Sequence, residues 1–486
     1  MTELYTCKNG QTLQNEEQSA LMYRLVAITP EKEYTRDDMG TASLMCDLYG
    51  DSIRYCPQNG CWYILDRCWR RQNENGEVSD RLQTLLNLLH IYANVELQGD
   101  DDALKEYRKY VSGTRRYTSM RNILEVFKVM VRMQLADTDR DPYLFNTPAR
   151  AYNLKSGQVV TDFENCNVTK LSATSLPGLG TETCDRWYQF VDEIMSHDAE
   201  KAAFLQRALG YSLLGVNREE CMFIAYGSTT RNGKGTLFST INSVLGGDYA
   251  DTAPVDLICE RKNKGGVDFN APQPALAKLV GTRLVTMSES PRDVRLDAAA
   301  MKTLTGRDSL TTRGLFENAF TFTPQFTIWL NTNYLPAVND DTVFSSDRVW
   351  VIEFSEHFDP SRQDKDLKEL FSAPENRPTI LKWLMDGVQD YMENGLNPPA
   401  CVLEATANYR RIHDRMGSFI ADKLALGLDY AAPRGDVYSA YRSWCALPEN
   451  RFSPMGSTGF YSEMSSKGFA SVRHADGWYI KGCKIK

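Results

Sequence analysis

Four short runs between residues 221 and 354 are almost wholly apolar: CMFIAYG, RLVTMSE, FTIWLNTN and VWVIEF. Each is too short for a buried helix, and apolar residues at consecutive positions fit an interior strand covered on both faces. Helical segments separate the first of these runs, so the alternation predicts an α/β domain with a mostly parallel sheet. Just upstream, Trp187, Phe190, Val191 and Ile194, then Phe204, Leu205, Ala208, Leu209 and Leu213, recur near helical period. The first 150 residues or so mix strand-like pieces with helices, an α+β pattern. There, residues 51–71 read as a hairpin turning at Pro57-Gln58-Asn59-Gly60, and Leu82, Leu85, Leu86, Leu89 and Ile91 form a helical stripe.

Residues 150–180 are polar and punctuated by glycine and proline, and SLPGLGT reads as a linker. After Asn397-Pro398-Pro399 the pattern is helical again, and Ala431 to Gly435 reads as a lead into a last domain. The units expected are therefore 1–180 (α+β), 181–220 (a helical lead-in), 221–395 (α/β) and 396–486 (a helical linker and terminal domain). A length of 486 residues suits several domains.

Composition narrows the class. Apolar residues make up 42% and charged residues 24%, which excludes wholesale disorder. No run reaches the ~18–20 apolar residues of a membrane span, and MTELYTCKNGQTLQNEEQ has neither the basic start nor the apolar core of a signal peptide. A cytosolic protein is expected. The net charge of -8 excludes a wholly basic nucleic-acid coat, yet from Arg434 onward eight Lys/Arg stand against four Asp/Glu. Twelve cysteines are scattered with no CxxC. Cys56, Cys61 and Cys68 are the densest group, and buried thiols on strands suit that spacing better than the paired ligands of zinc.

The sharpest chemistry lies in CMFIAYGSTTRNGKGTLFSTINSVLGG (221–247). A strand enters a loop holding Gly227, Arg231, Asn232 and Gly233, then Lys234, Gly235 and Thr236 open an amphipathic helix. Glycines let backbone N–H groups curl round phosphates, the helix start favours anions, and a lysine reaches the β/γ oxygens. A mobile surface loop containing Gly-Lys is the competing reading. Two departures stand out: Gly227 precedes Gly233 by five intervening residues rather than four, and Gly235 replaces the hydroxyl residue that holds magnesium, leaving Thr236 as substitute. Glu289, ending a strand, suits a water-activating carboxylate; Asn333 could orient that water, and Arg348 could serve as an arginine finger to a neighbouring subunit.

The order YGSTTRNGKGT, LVGTRLVTMSES, MKTLTGRDSLTTRGLF, FTFTPQFTIWLNTNYLP and DRVWVIEF resembles superfamily 3 helicases, specifically the phage/plasmid primase family of P4-type and poxvirus D5-type proteins. Residues 35–72 resemble that family's D5 N-terminal region, 186–215 the segment before its Walker A motif, and the tail from AYRSWC its winged helix. The resemblance implies a central AAA+-like P-loop ATPase and a C-terminal winged helix. Lys234 would be its Walker A lysine, Glu289 its Walker B glutamate, Asn333 its sensor 1 residue and Arg348 its finger. It further implies ATP and Mg²⁺ as cofactors, with Thr236 a candidate metal ligand, and a homohexameric ring moving 3′→5′ on single-stranded DNA. Lys302, Arg307 and Arg313 would touch that strand at a pore hairpin. A recognition helix near Ser462 to Lys467 would meet duplex DNA at an origin. Tyr438, Tyr441, Trp444 and Phe460 read as the core of that unit. Only about 34 residues precede the D5-like region, so a helicase without primase activity, working beside a separate primase in a bacterial host's cytoplasm, is expected. An ATP-dependent initiator without processive unwinding and an inert structural relative share these residues.

Overall fold

In the computed structural model, which describes residues 4–13, 15–28, 34–72, 76–95, 101–160, 167–176, 184–260, 267, 272–288, 295–314, 319–338, 342–447 and 454–486, the middle of the chain forms a parallel sheet. The N-terminal part runs α1 (Glu16–Ile28), α2 (Asp38–Tyr49), β1 (Ile53–Cys56), β2 (Cys61–Leu65), β3 (Trp69–Gln72), α3 (Gly76–Val95), α4 (Asp101–Thr114) and α5 (Tyr117–Met130). The hairpin turns where expected, with Cys56 opposite Cys61 and Gly60 at φ +68°, but β3 extends it to a three-stranded meander. β4 (Leu144–Asn146), β5 (Ala151–Asn153) and β6 (Gln158–Val160) make a second antiparallel sheet. Then α6 (Asp185–Ile194) and α7 (Ala199–Tyr211) follow. Part of the expected SLPGLGT linker lies outside the described residues.

The central region runs β7 (Met222–Tyr226), α8 (Lys234–Leu245), β8 (Ala250–Thr252), α9 (Pro274–Ala277), β9 (Leu284–Ser288), β10 (Arg295–Leu296) and α10 (Ala298–Thr305). It continues through β11 (Leu310–Thr312), β12 (Phe320–Phe322), β13 (Thr327–Thr332), β14 (Ala337–Val338), α11 (Thr342–Ser345) and β15 (Val349–Glu353). Five of these strands form one parallel sheet in the order β15-β7-β13-β9-β8. Their apolar runs divide by alternation between two cores. Phe223, Ala225, Trp329 and Ile352 pack with α7, α8 and α13 (Arg377–Asn394) on one face. Met222, Ile224, Leu330 and Val351 pack with α10 and α14 (Ala400–His413) on the other. Short aspartate caps start several helices: Asp198 accepts from Lys201 N–H and Asp297 from Ala299 and Ala300 N–H.

One buried charge ties the N-terminal part to this sheet. Arg283, immediately before β9, is 3% exposed and donates from Nη1 to Pro142 O at 2.7 Å, with Nη2 3.5 Å from Leu144 O. Its Nε has no hydrogen-bond partner among the described residues, and burial pushes its pKa down. A Cβ added at Gly215 would lie 1.4 Å from Nη1, so glycine there makes room for the guanidinium. Alongside, Asn146 N–H donates to the Tyr249 hydroxyl at 2.9 Å, and Phe145 stacks on Tyr249.

The last unit has a separate core. It runs α15 (Arg415–Lys423), β16 (Leu424–Pro433), α16 (Arg434–Cys445), α17 (Ser457–Ser466), β17 (Ser471–His474) and β18 (Gly477–Ile485), with sheet order β16-β18-β17. Tyr441, Trp444 and Phe460 are buried in it, with Tyr438 packed against them. Residues 431–433 are not a connector, contrary to the sequence-based expectation. They end β16, with Ala431 opposite Lys481 and Pro433 opposite Tyr479. The register breaks between Leu426 and Ala431, and that irregularity hides the strand's alternation.

Candidate nucleotide site

β7 delivers the chain to the carboxyl-terminal edge of the sheet, where residues 227–233 turn back into α8. That turn needs an unusual backbone. Gly233 sits at φ +85°, and an added Cβ would meet Ile194 Cγ2 at 2.3 Å; Arg231 also has positive φ, +60°. At Gly227 a Cβ would lie 2.2 Å from Asn232 Nδ2 and 2.6 Å from Lys234 Nζ. Only glycine lets the lysine fold across the loop this closely. Asn232, buried, donates its amide to Thr229 O. From the other side Phe358 N–H donates to Arg231 O at 2.9 Å, and His357 Nδ1 lies 2.9 Å from Thr230 O. Nothing in the local pattern pointed to these residues of the 354–358 segment, because the contact is long-range.

Lys234 opens α8 and is 4% exposed. Its Nζ donates to Asn333 Oδ1 at 3.0 Å, joining two residues chosen from separate motifs. Asn333 stands one residue past β13, beside β7 in the sheet, and Gly227 N–H reaches Thr332 O at 3.3 Å. Burial pushes the Lys234 ammonium down to about 8. The first turn of α8 carries no acidic residue, so the helix start and the ammonium together present positive potential to an incoming anion.

Other expected residues are placed differently. Residues two apart on a helix are turned about 200° from each other, so Thr236 does not share Lys234's side. It lines a neighbouring cavity of about 340 Å³ with Arg231, Gly233, Phe190 and Phe358. Thr236 is thus not brought to the Lys234–Asn333 pair, which weakens its candidacy as a metal ligand. Gly235 is exposed, and a Cβ there would meet nothing within 4 Å. Gly235→Thr is therefore expected to fold normally and place a hydroxyl beside Lys234. Isothermal titration should then show magnesium-dependent nucleotide affinity rising about tenfold, the worth of one charge-assisted hydrogen bond; unchanged affinity would count against a metal at this place. Glu289 lies outside the described residues.

Arg348 stands at the opposite end of the sheet, just before β15, and cannot serve its own chain's Lys234. It donates from Nη2 to Glu220 Oε2 at 2.6 Å and from Nη1 to Thr305 Oγ1 at 3.1 Å. Arg307 joins the same carboxylate at 3.5 Å and donates to Asn217 and Arg218 carbonyls. Its guanidinium is thus engaged within the chain rather than standing ready for a DNA strand. β11 and β12 do form a hairpin, Thr312 opposite Phe320, and exposed Arg313 follows β11; Lys302 is half-buried in the last turn of α10. Among the described residues no group of three or more His, Cys, Asp or Glu could hold a metal, and no helix is long and apolar enough to cross a membrane.

Fold and site together define a mixed α/β protein with a glycine–lysine loop at the carboxyl edge of a five-stranded parallel sheet. Residues 42–196 match the family described as "D5 N terminal like". The chain is 24% identical over 430 residues to "Putative helicase L207/L206" of Acanthamoeba polyphaga mimivirus, covering 80% of this chain and 43% of that protein. It is 26% identical over 271 residues to "Putative helicase 022R" of Frog virus 3, covering 52% and 27%. These similarities support a place for the chain in the D5-type primase-helicase family. It spans less than half the length of these relatives, both from viruses of eukaryotes. Among solved structures, the apo NrS-1 C-terminal region aligns over 89% of this chain and 96% of its own, at 11% identity and TM-score 0.46.

Proposed function

We propose that this chain is an ATP-driven DNA helicase motor of a replication system. The observation that carries the reading is the pair of buried Lys234 and half-buried Asn333 at the carboxyl edge of the sheet, where α/β folds bind ligands. The residues fit a triphosphate: a buried ammonium, a helix start without acidic residues, and glycine where the lysine crosses the loop. When bound, ATP supplies the reactive phosphoryl group and the free energy. Lys234 and the first N–H groups of α8 hold its oxygens. Asn333 positions Lys234 and orients the attacking water, and Glu289 takes that water's proton. The residues fit magnesium less well, since Gly235 offers no hydroxyl.

Arg348 is assigned to a neighbouring subunit's site, which requires a ring, read here as a hexamer moving 3′→5′. Its own-chain pairing with Glu220 holds it until the interface forms. Arg348→Ala is expected to lower kcat for hydrolysis by roughly 10³-fold while leaving nucleotide affinity within about twofold. A full loss of binding would mean that it only supports the fold. The order α15-β16-α16-α17-β17-β18 supports a winged helix, with α17 reading duplex DNA at an origin. A separate primase and a host cytoplasm complete the reading.

The test is unwinding of labelled duplexes bearing a 3′ or a 5′ single-stranded tail, with ATP and Mg²⁺, beside Lys234→Ala. Displacement of the 3′-tailed duplex, lost in the variant, is the expected result. Hydrolysis without displacement would favour the initiator reading, which Gly235 supports because a weakly held metal suits slow turnover.

A further inference from the structure

We infer that the cleft between the N-terminal meander and the central sheet is a second binding site for a single nucleic-acid strand, apart from the pore hairpin. Its volume is about 710 Å³, room for roughly one or two nucleotides. Basic side chains approach from three places: Arg70 and Arg71 on β3, Lys170 in the extended segment below, and Lys278 after α9. Two carboxylates also line the cleft, and both are already engaged. Asp139 accepts from the Thr169 backbone N–H and hydroxyl, and Asp248 accepts from Leu171 N–H at 3.0 Å.

The basic groups are held loosely. Arg70 pairs with Asp66 at 3.1 Å with both side chains more than half exposed, and Lys278 pairs with Asp251 while itself 69% exposed. The exposed Arg70–Asp66 pair is of the weak kind that gives way to a phosphate, and the exposed end of Lys278 can turn to one from an Asp251 that is itself mostly buried. The apolar wall is aromatic: Tyr63 and Trp69 are nearly buried, whereas Phe320 is half-buried and offers a face for stacking. Phe320 belongs to β12, so the cleft is continuous with the hairpin that carries Arg313. Basic groups interleaved with a stacking aromatic, in a cleft with room for roughly one or two nucleotides, suit a single strand.

The inference rests on the DNA reading of the chain, but its test needs no ATP. Fluorescence anisotropy of a labelled oligothymidine would be measured across salt for the full chain, for Arg70→Glu/Arg71→Glu/Lys278→Glu, and for Arg313→Ala. The triple variant should bind at least about tenfold more weakly, with a salt slope smaller by roughly 2, since each lost single-strand contact removes about 0.7. Cross-linking of the unaltered chain to an iodouracil-bearing strand should mark Phe320 and the β2–β3 region, and it decides the matter if the triple variant does not fold. Wild-type affinity in the triple variant, or cross-links confined to the hairpin's Lys302–Arg313 side, would overturn the cleft and leave the motor reading standing. Competition by free thymidine triphosphate as strong as by the strand would also overturn it. If the unaltered chain bound no strand, both readings would fall.

Discussion

Lys234→Ala is expected to abolish nucleotide binding and to reduce hydrolysis by on the order of 10²–10³-fold, the usual cost of losing a preorganised charge at a reacting phosphate. Folding should survive, because the substitution removes a buried ammonium whose only cause of pKa lowering is its own desolvation. The same burial gives a pH signature. With Lys234 at about 8 in the folded chain against 10.5 ordinarily, the unfolded chain binds more protons between those values. Stability therefore rises with pH across that window. Anion binding has the opposite sign: it needs the charged form, is full below pH 8, and weakens as pH rises through it. A bound phosphate favours the ammonium, so calorimetry near pH 8 should record proton uptake on binding. A variant that still binds ATP, or a wild-type affinity flat from pH 7 to 9.5, would remove Lys234 from the site.

Gly215→Ala should be strongly destabilising. The new Cβ would lie 1.4 Å from Arg283 Nη1, a clash that only eviction of the guanidinium relieves. The Pro142 and Leu144 carbonyls would lose their donor while a charge is forced elsewhere, so a cost of about 3–5 kcal/mol is expected. In thermal denaturation this is a drop of roughly 6–15 °C. Gly215→Ala combined with Arg283→Met should recover a large part of it, because the clash and the buried charge go together. No recovery would show that Gly215 matters for its backbone instead. The pair also ties the N-terminal segment to the central sheet: β9 begins just after Arg283, whose side chain is gripped by that segment.

The central sheet was legible because its strands are buried on both sides, and the alternating division between two cores looks in sequence like an unbroken apolar run. β8 was not, since Ala250–Thr252 is a short, mixed-polarity strand at the sheet's edge. β3 was hidden by Arg70 and Arg71, exposed residues that break an apolar pattern. The loop could be read because Gly227 to Lys234 are contiguous, so phosphate chemistry is local there. The Lys234–Asn333 bond could not be derived from spacing, as it joins two parallel strands' ends through the fold. Arg348 read as a finger and Arg307 as a pore-hairpin contact to DNA, and only the structure shows both meeting Glu220.

In the last unit, β18 lies between β16 and β17, yet it is the latest of the three along the chain. During synthesis both outer strands therefore wait for residues 477–485 before either has a partner. At about 5–20 residues per second, β16 spends roughly 3–10 s outside the ribosome with Leu424 and Ala432 uncovered. An orphaned edge strand is a template for pairing with another chain. The sheet of this unit closes only once residues 477–485 have emerged, just as β7 of the central sheet waits for the later β13 and β15.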